Sequence, residues 1–274
     1  MIVTLWGPRG TFPVPGAETL RHGGDTSCLS VEWGRNVLVV DVGTGARRLG
    51  AELKGRDVDL SILLTHIHGD HVLGLPFFAP LWERDRTIVI FDADTEEGPW
   101  SPLALLDGRH FPVRAAALPA YARRIAGDPM PHLNGLGLPI RRQRCNHPGR
   151  TYGYRIGVPG RDVVFMPDNE LGSSAEGHIP FEAFVRFANG AAVLAHDAQF
   201  TADEIHRRGG WGHSSIEQAV ALAEAAGVGK LVLVHHDPWR TDDQLDALTA
   251  AAAQRTRIPV EAGRDGMRLE LGED

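Results

Sequence analysis

The sequence predicts a layered α/β domain, in which β-strands alternate with α-helices. Short apolar runs rich in β-branched residues recur along the chain, and each is bounded by Gly, Pro, Asn or Asp, as strands usually are. These runs lie at residues 2–6, 28–33, 36–42, 60–65, 87–91, 162–166, 191–195 and 230–234. Amphipathic stretches typical of helices alternate with them. The three clearest stretches are 45–55, 214–227 and 241–254.

Two of these helices carry clear end signals. In the second stretch, Ser215 and Gln218 form the pattern of a capping box, and Gly227 supplies the stop. In the third stretch, Thr241 and Gln244 repeat the same starting pattern. The sequence therefore predicts where both helices begin.

The composition is that of an ordinary globular protein, and we expect one domain spanning residues 1–274. Neither Cys28 nor Cys145 belongs to a CxxC pair, so both are expected to be buried thiols in the reducing cytoplasm. The formal net charge of -7 disfavours a general nucleic-acid binder. No leader pattern or long apolar run is visible, so we expect neither secretion nor contact with a membrane.

Residues 92–139 interrupt the alternation of strands and helices. Seven prolines fall in this range, together with Trp100, Phe111 and Tyr121. We expect an irregular insertion rather than a second domain. A segment of this kind could serve as a lid, as a binding loop or as the contact of a homodimer.

The stretch LLTHIHGDHVLG, residues 63–74, contains the strongest functional signal. It places His66, His68, Asp70 and His71 within six positions, directly after an apolar run that is typical of a buried strand. Imidazole nitrogens and carboxylate oxygens are the ligands that Zn²⁺ and similar divalent ions prefer. Without a metal, so many packed polar groups would be costly to desolvate. We therefore expect a metal site here.

Further side chains that could bind metal follow other predicted strands. Each lies just past the C-terminal end of its strand, and in layered α/β folds these ends converge on the functional crevice. The separate segments are therefore expected to meet in one site. The residues are Asn146 and His147, Asp168, His196 and Asp197, and His235 and His236.

The motif THIHGDH, residues 65–71, resembles the signature of the metallo-β-lactamase superfamily. The resemblance covers most of the chain, because NHP at 146–148, MPDN at 166–169 and VHHDP at 234–238 follow in the family's order. It implies a four-layer αββα sandwich with the metals at one edge. Asp41, in VVDVGTG, resembles the family's buried aspartate, which supports the metal loop without binding metal.

The resemblance, carried over residue by residue, implies a dinuclear metal site. The expected ligands are His66, His68 and His147 for the first metal, Asp70, His71 and His235 for the second, and Asp168 as the bridge. Zinc is the default for both divalent ions, and manganese and iron also suit these ligands. His235 is favoured over His236 because the family places its ligand first in this pair. Asp70 is expected among the catalytic residues as well.

Two later stretches indicate the reaction. AHDAQFT at 195–201 and GWGHSS at 210–215 resemble paired motifs of the phosphodiesterase branch, which includes ribonuclease Z and cyclic-nucleotide phosphodiesterases. Asp197 stands where ribonuclease Z has a glutamate, and His213 matches the second motif's histidine. An imidazole can stabilise the phosphoryl charge and donate a proton to the poor alkoxide leaving group. We expect Asp197 to orient His213 for that task.

The start of the following helix offers a phosphate site. Ser214 and Ser215 are expected to bind phosphate oxygens together with free backbone N–H groups. The alternative is that this stretch only caps the helix. His196 is expected to support its neighbour Asp197, and the role of His236 is open.

The interval between two expected ligands bears on the size of the substrate. Ribonuclease Z handles its large substrate through an arm inserted between the third-motif histidine and the bridging aspartate, but His147 and Asp168 are only 21 positions apart. This interval and the acidic net charge favour a small phosphodiester, such as a cyclic nucleotide, and disfavour tRNA or another large nucleic acid. Aromatic residues of the insertion could stack on a base.

Two alternatives to a phosphodiesterase remain at this point. A non-phosphoryl hydrolase, such as a lactonase or thioesterase, would not need Asp197 and His213. An inactive metal-binding or sensing module would bind the ions without turnover. A hydrolysis screen separates all three hypotheses.

Overall fold

The structure, a computed structural model, describes residues 1–173 and 175–272. In this part of the chain two large β-sheets pack face to face, and helices cover the outer face of each sheet. The expected four-layer αββα sandwich is therefore confirmed. Apolar side chains fill the space between the sheets and the space under each helical layer, as a layered fold requires.

The first sheet combines antiparallel and parallel strands. From one edge to the other it consists of β15 (Met267–Glu270), β1 (Ile2–Gly7), β2 (Cys28–Trp33), β3 (Asn36–Val40), β4 (Asp59–Leu63), β5 (Thr87–Phe91) and β8 (Tyr121–Ile125). The pairs from β3 to β8 are parallel, and the pairs from β15 to β3 are antiparallel.

The second sheet has the same mixed character. From edge to edge it consists of β14 (Val260–Ala262), β13 (Leu231–Val234), β12 (Val193–Asp197), β11 (Arg161–Met166), β10 (Tyr152–Val158) and β9 (Ile140–Arg144). Strands β11 to β14 run parallel, whereas β9, β10 and β11 form an antiparallel meander. A separate hairpin pairs β6 (Ala93–Thr95) with β7 (Gly98–Trp100).

The helices lie mostly in the connections between strands. They are α1 (Ala46–Leu53), α2 (Gly69–Val72), α3 (Met130–Asn134), α4 (Phe181–Ala188), α5 (Ala202–Ile205), α6 (Ile216–Ala226) and α7 (Asp242–Ala253). The predicted starts are confirmed, because the side chains of Ser215 and Thr241 accept hydrogen bonds from the third helical residue of α6 and α7. Gly227 ends α6 at a φ of 61°, a conformation that favours glycine.

Strand β3 shows why the strand sequences are continuous apolar runs. Val37 and Val39 pack on the helical side against Leu49 of α1, whereas Leu38 and Val40 point into the layer between the sheets. A strand buried on both faces needs apolar side chains at every position. Burial of each such side chain contributes about 1.5–3 kcal/mol.

The parallel strands place the functional loops at a common edge. Strands β11, β12 and β13 are adjacent and parallel, so their C-terminal ends at Met166, Asp197 and Val234 lie side by side. Strand β4 of the other sheet ends at Leu63, directly before the His-rich segment. Ligand-type residues from distant parts of the sequence are thereby brought to one end of the sandwich.

The insertion at 92–139 contains more regular structure than the sequence predicts. It includes the β6–β7 hairpin, α3 and β8, and β8 extends the first sheet at its edge. The sequence of β8, YARRI, gave no strand signal because the strand is largely exposed and lacks an apolar run. Helix α4 and the short strands β14 and β15 were also not predicted.

The state of the two cysteines agrees with the expectation from composition. Cys28 and Cys145 are buried free thiols. Among the described residues, no helix combines the length and apolar character that crossing a bilayer requires.

Candidate metal centre

A buried aspartate, Asp41, holds the loop that follows β4. Its carboxylate accepts hydrogen bonds from the backbone N–H of Thr65 at 2.7 Å and from the Ser27 hydroxyl at 3.0 Å. Nδ1 of His71 lies 2.8 Å from Oδ2 of Asp41. Because a carboxylate only accepts, Nδ1 carries the proton, and Nε2 of His71 offers a lone pair to the site. The φ of Asp41 is 63°, so a strained backbone aims this carboxylate.

The first group of expected ligands is His66, His68 and His147. One nitrogen from each ring lies within 4.8 Å of the others. Nδ1 of His68 and Nε2 of His147 are 3.1 Å apart. The Nδ1–H of His147 donates to the carbonyl oxygen of Gly212 at 3.0 Å, which leaves its Nε2 with a lone pair. These three rings can therefore bind one cation.

The second group is Asp70, His71 and His235, whose ligand atoms also lie within 4.8 Å of one another. Oδ2 of Asp70 is 3.2 Å from Nε2 of His235 and 3.4 Å from Nε2 of His71. The backbone N–H of Thr11 donates to the same oxygen at 2.8 Å and fixes the carboxylate. His235 has a φ of 57°, a second strained residue at this site.

Asp168 lies between the two groups. Its Oδ1 is 3.0 Å from Nε2 of His71, and its Oδ2 is 3.3 Å from Nε2 of His235. Oδ2 also lies 3.7 Å from Nε2 of His147 and 3.9 Å from Nε2 of His66. The carboxylate of Asp168 therefore lies within 4 Å of nitrogens from both groups.

Buried atoms without hydrogen bonds show that the residues fit a divalent metal. Nε2 of His66, Nε2 of His71 and Oδ1 of Asp168 are buried and have no hydrogen-bond partner in the described structure. Unpaired polar atoms in a dry site are costly, and a cation satisfies them together. His and Asp ligands with defined Nε2 lone pairs match the chemistry of divalent ions such as zinc.

The titratable groups are strongly coupled. Burial lowers the pKa of His147 to about 4 and that of His66 well below its usual value. Burial also opposes protonation of His235, but the carboxylates of Asp168 and Asp70 outweigh it and raise that pKa to about 9. Burial would raise the pKa of Asp168, yet the surrounding imidazoles hold it well below its usual value. The carboxylates thus favour positive charge at His235, whereas burial disfavours it at His66 and His147.

His213 and Asp197 form a pair directly beside this cluster. Nδ1 of His213 lies 2.7 Å from Oδ2 of the fully buried Asp197. The His213 ring stacks on the ring of His235, with centroids 4.7 Å apart and an interplanar angle of 19°. It also lies 5.1 Å from the ring of His147. The carboxylate fixes the Nδ1 proton, so Nε2 is the nitrogen left for a substrate.

A comparison with known families identifies the chain. The model of the beta-lactamase superfamily domain matches residues 35–236, which include the His-rich loop, Asp168 and both paired motifs. The chain belongs to this superfamily. The resemblance inferred from the motifs is therefore confirmed.

Known proteins resemble this superfamily member in sequence or in fold. Ribonuclease Z of Haloarcula marismortui is 27% identical, with 99% of this chain and 97% of the relative covered. The metallo-beta-lactamase fold protein YhfI of Bacillus subtilis has a TM-score of 0.69 at 24% identity, covering 98% and 99% of the two chains. Zn²⁺-bound PqqB of Methylobacterium extorquens has a TM-score of 0.68 at 20% identity, covering 99% and 100%. The family, the relatives and the cluster support a metal-dependent phosphodiester hydrolase.

These relatives do not support the expectation that tRNA or another large nucleic acid is disfavoured. The curated sequences that this superfamily member matches over nearly its whole length are named ribonuclease Z. The short interval between His147 and Asp168 excludes only one way of holding a large substrate, which is an arm inserted between these two residues. RNA therefore stays among the substrates to be tested.

The serines at the start of α6 make other contacts. The Ser214 hydroxyl donates to the carbonyl oxygen of Asn169 at 2.6 Å and accepts from the backbone N–H of Leu171 at 3.1 Å. The Ser215 hydroxyl accepts from the backbone N–H of Gln218 in the capping box. Both serines are buried. Because both hydroxyls are engaged in these contacts, the structure favours the alternative in which this stretch caps the helix over a phosphate-binding role.

The remaining histidines near the motifs have structural partners. Nδ1 of the buried His196 contacts the carbonyl oxygen of Asp197 at 2.7 Å, which fits the expected supporting role. Nε2 of His236 contacts the carbonyl oxygen of Gly263 at 3.0 Å, so this ring faces away from the ligand groups. In the insertion, His110 pairs with Asp107 at 2.7 Å. None of these contacts joins the metal cluster.

Two supporting residues were not predicted from the sequence. Glu170 is buried and accepts hydrogen bonds from the backbone N–H groups of Gly210 and Gly212, each at 3.0 Å to Oε2. Gly10 packs against the ring of His235, where an added Cβ would lie 2.2 Å from Nδ1. Glu170 directly follows the MPDN motif. A charged residue in that position is the sequence feature that could have indicated a supporting role. The contact of Gly10 left no signal in the sequence.

Proposed function

We propose that the protein is a dinuclear metal-dependent phosphodiesterase that acts on small phosphodiesters, such as cyclic nucleotides. The His213–Asp197 pair carries this proposal. Cleavage of a phosphodiester builds up negative charge on the phosphoryl oxygens and expels an alkoxide, and an imidazole can assist both changes. Here the buried carboxylate of Asp197 holds the imidazole of His213 at 2.7 Å, and that ring lies beside the ligand cluster. The names of the sequence relatives support the same chemistry.

The proposed ligand set is the one that the motifs imply. His66, His68 and His147 would hold the first ion, Asp70, His71 and His235 would hold the second, and Asp168 would contact both. Short contacts and unpaired buried atoms support this assignment. We take both ions to be zinc, since mixed His and Asp ligands suit it and a fold neighbour binds it. The ligands span much of the chain, which supports its action as one domain.

Each side chain has a separate task in the proposed reaction. When bound, the ions supply a nucleophile near neutral pH by lowering the pKa of water, and they neutralise charge on the phosphoryl group. Asp70, which the backbone N–H of Thr11 fixes, would hold one ion and thereby help to orient the attack. Nε2 of His213 stabilises the developing phosphoryl charge and gives a proton to the leaving oxygen.

The compact interval between His147 and Asp168 supports a small substrate. The β10–β11 hairpin occupies it, and no protruding arm is present in this fully described segment. The second candidate substrate is the phosphodiester backbone of RNA, which the ribonuclease Z relatives favour. A cytoplasmic location fits both substrates and the buried free thiols.

A hydrolysis screen with two histidine variants tests the proposal. The substrates are bis(p-nitrophenyl) phosphate, a panel of cyclic nucleotides, a precursor tRNA, a lactone, a thioester and a β-lactam. His213→Ala should lower kcat for diesters by about 10²–10⁴-fold while the metal content is unchanged. His206→Ala, at an exposed histidine on the end of α5, is the matched control and should retain full activity.

The screen separates the alternatives cleanly. Strong turnover of the lactone or thioester without diester cleavage would favour a non-phosphoryl hydrolase. Cleavage of precursor tRNA in preference to every small diester would favour the RNA candidate. Full metal loading without any turnover would leave only the inactive metal-binding module.

A further inference from the structure

An exposed tryptophan, Trp211, directly precedes Gly212 and His213, which contact the metal cluster. Its side chain is 54% exposed, although indole is among the more costly groups to leave in water. The adjacent Gly212 accepts the hydrogen bond that orients His147, and the next residue is His213. Trp211 therefore directly precedes the backbone segment that orients the proposed ligand His147 and carries the proposed acid His213.

The loop around Trp211 is rigidly anchored. The buried carboxylate of Glu170 accepts hydrogen bonds from the N–H groups of Gly210 and Gly212, which flank the tryptophan on both sides. The backbone N–H of Trp211 itself donates to the carbonyl oxygen of Arg208 at 3.1 Å. The N–H of Glu170 in turn donates to the carbonyl oxygen of Asn146, beside the first metal group. The loop is thus tied to the same backbone as His147.

The side chain of Trp211 is also supported from one direction. The guanidinium of Arg208 lies 4.6 Å from the indole centroid and 5.2 Å from the ring centroid of Phe200. Phe200 is buried and lies 6.0 Å from the ring of His213. A cation sandwiched between the two aromatic rings holds the indole in place and leaves much of it exposed. A pre-positioned ring loses little entropy when a ligand stacks on it.

The aromatic residues of the insertion are less suited to stack on a bound ligand. Phe111 packs against Phe77 and Trp82, with ring centroids 5.9 Å and 6.1 Å apart. Trp100 packs partly buried into the cluster under the helical layer of the first sheet. Tyr121 is 67% exposed, but it lies on the edge strand β8. Unlike Trp211, which precedes His213 by two positions, none of these residues lies that close in sequence to a proposed site residue.

We propose that Trp211 is the residue that selects a base-bearing substrate, by stacking its exposed indole on the nucleobase of a nucleotide phosphodiester. This inference rests on the proposed phosphodiesterase function and names the substrate class within it. Stacking a base on an aromatic side chain is sequence-tolerant, so the site accepts different bases. Loss of one such contact weakens binding by about tenfold or more.

A pair of matched substrates tests the role of Trp211. One is adenosine 3′,5′-cyclic phosphate, and the other is the methyl riboside 3′,5′-cyclic phosphate, which lacks the base. Trp211→Ala should raise KM for the adenosine compound about tenfold with little change in kcat, and it should leave the methyl compound unaffected. Trp211→Phe should restore most of the affinity. Tyr121→Ala, at another largely exposed aromatic residue, is the control and should behave as wild type.

Binding of adenosine 5′-monophosphate, measured by calorimetry, distinguishes failure of this inference from failure of the proposed function. If neither cyclic compound is hydrolysed but binding weakens about tenfold in Trp211→Ala, the proposed reaction fails and the stacking role stands. Equal losses on both cyclic substrates would overturn the stacking role, since they indicate a general structural effect. Wild-type values for KM and for binding in Trp211→Ala would overturn it as well.

Discussion

Replacing Gly10 by alanine should disable the second metal site through a single added methyl group. The new Cβ would lie 2.2 Å from Nδ1 and 2.3 Å from Cε1 of His235, whereas ordinary contact begins at 3.4 Å. The ring or the glycine backbone must therefore move by about 1.2 Å. Gly10 does not have a positive φ, so the alanine backbone itself is not strained. The effect is confined to the contact with the ligand.

The displacement is large compared with what a metal site tolerates. A shift of about 1 Å in an active site can cost about 10²-fold in rate, and weaker perturbations around a ligand cost about 10–100-fold in metal affinity. Gly10→Ala should thus lose at least tenfold in affinity for the ion held by Asp70, His71 and His235. The first ion should bind almost normally. The fold should lose only about 1–3 kcal/mol.

Metal titration against a chelator measures both affinities, and circular dichroism confirms that the variant is folded. Gly16→Ala is a matched control in the same loop, since a Cβ there would meet nothing within 4 Å. Gly10→Ala that binds two ions with wild-type affinity would refute the reasoning, because His235 would then not be a ligand or would not depend on this contact.

Three further substitutions have expected outcomes. Asp41→Asn should lower metal affinity about 10–100-fold, because it removes the acceptor that orients His71, whereas Asp57→Asn, at an exposed aspartate, should not. Glu170→Ala should lower affinity for the first ion about tenfold in the same titration, and unchanged affinity would contradict the anchoring role. Burial raises the pKa of Asp265 to about 7, so its ionisation destabilises the folded state as pH rises from about 4 to 7. Asp265→Asn should match wild type in urea melts at pH 4 and be more stable at pH 8 by up to about 4 kcal/mol, and a difference independent of pH would count against this.

The part of the site that could be predicted from sequence is the part carried by local patterns. His66, His68, Asp70 and His71 are close in space because they are close in sequence after a buried strand. Asp168 could be added because it follows the end of another apolar strand, and parallel strands share one edge. The apolar runs of the buried strands and the capping patterns of the helices also predict most elements of the sandwich.

The remaining features depend on contacts that no local pattern encodes. Gly10 touches His235 across most of the chain, and a glycine has no side chain to suggest such a role. Helix α4 follows Pro180 and lacks a side-chain cap, so its start carries no Ser, Thr, Asp or Asn signal. Strand β8 is an exposed edge strand, and its two arginines hide the alternation that a half-buried strand would show.

The proposed ligands come from both sheets of the sandwich. The His-rich loop hangs from the first sheet, whereas His147, Asp168 and His235 extend from the second. Ions bound between these segments would link the two sheets. At a thousandfold excess over the dissociation constant, ion binding would raise the free energy of unfolding by about 4 kcal/mol. Removal of the ions by a chelator should therefore destabilise the metal-site end of the sandwich first. Backbone amide hydrogen exchange should increase at that end before it increases at the opposite end.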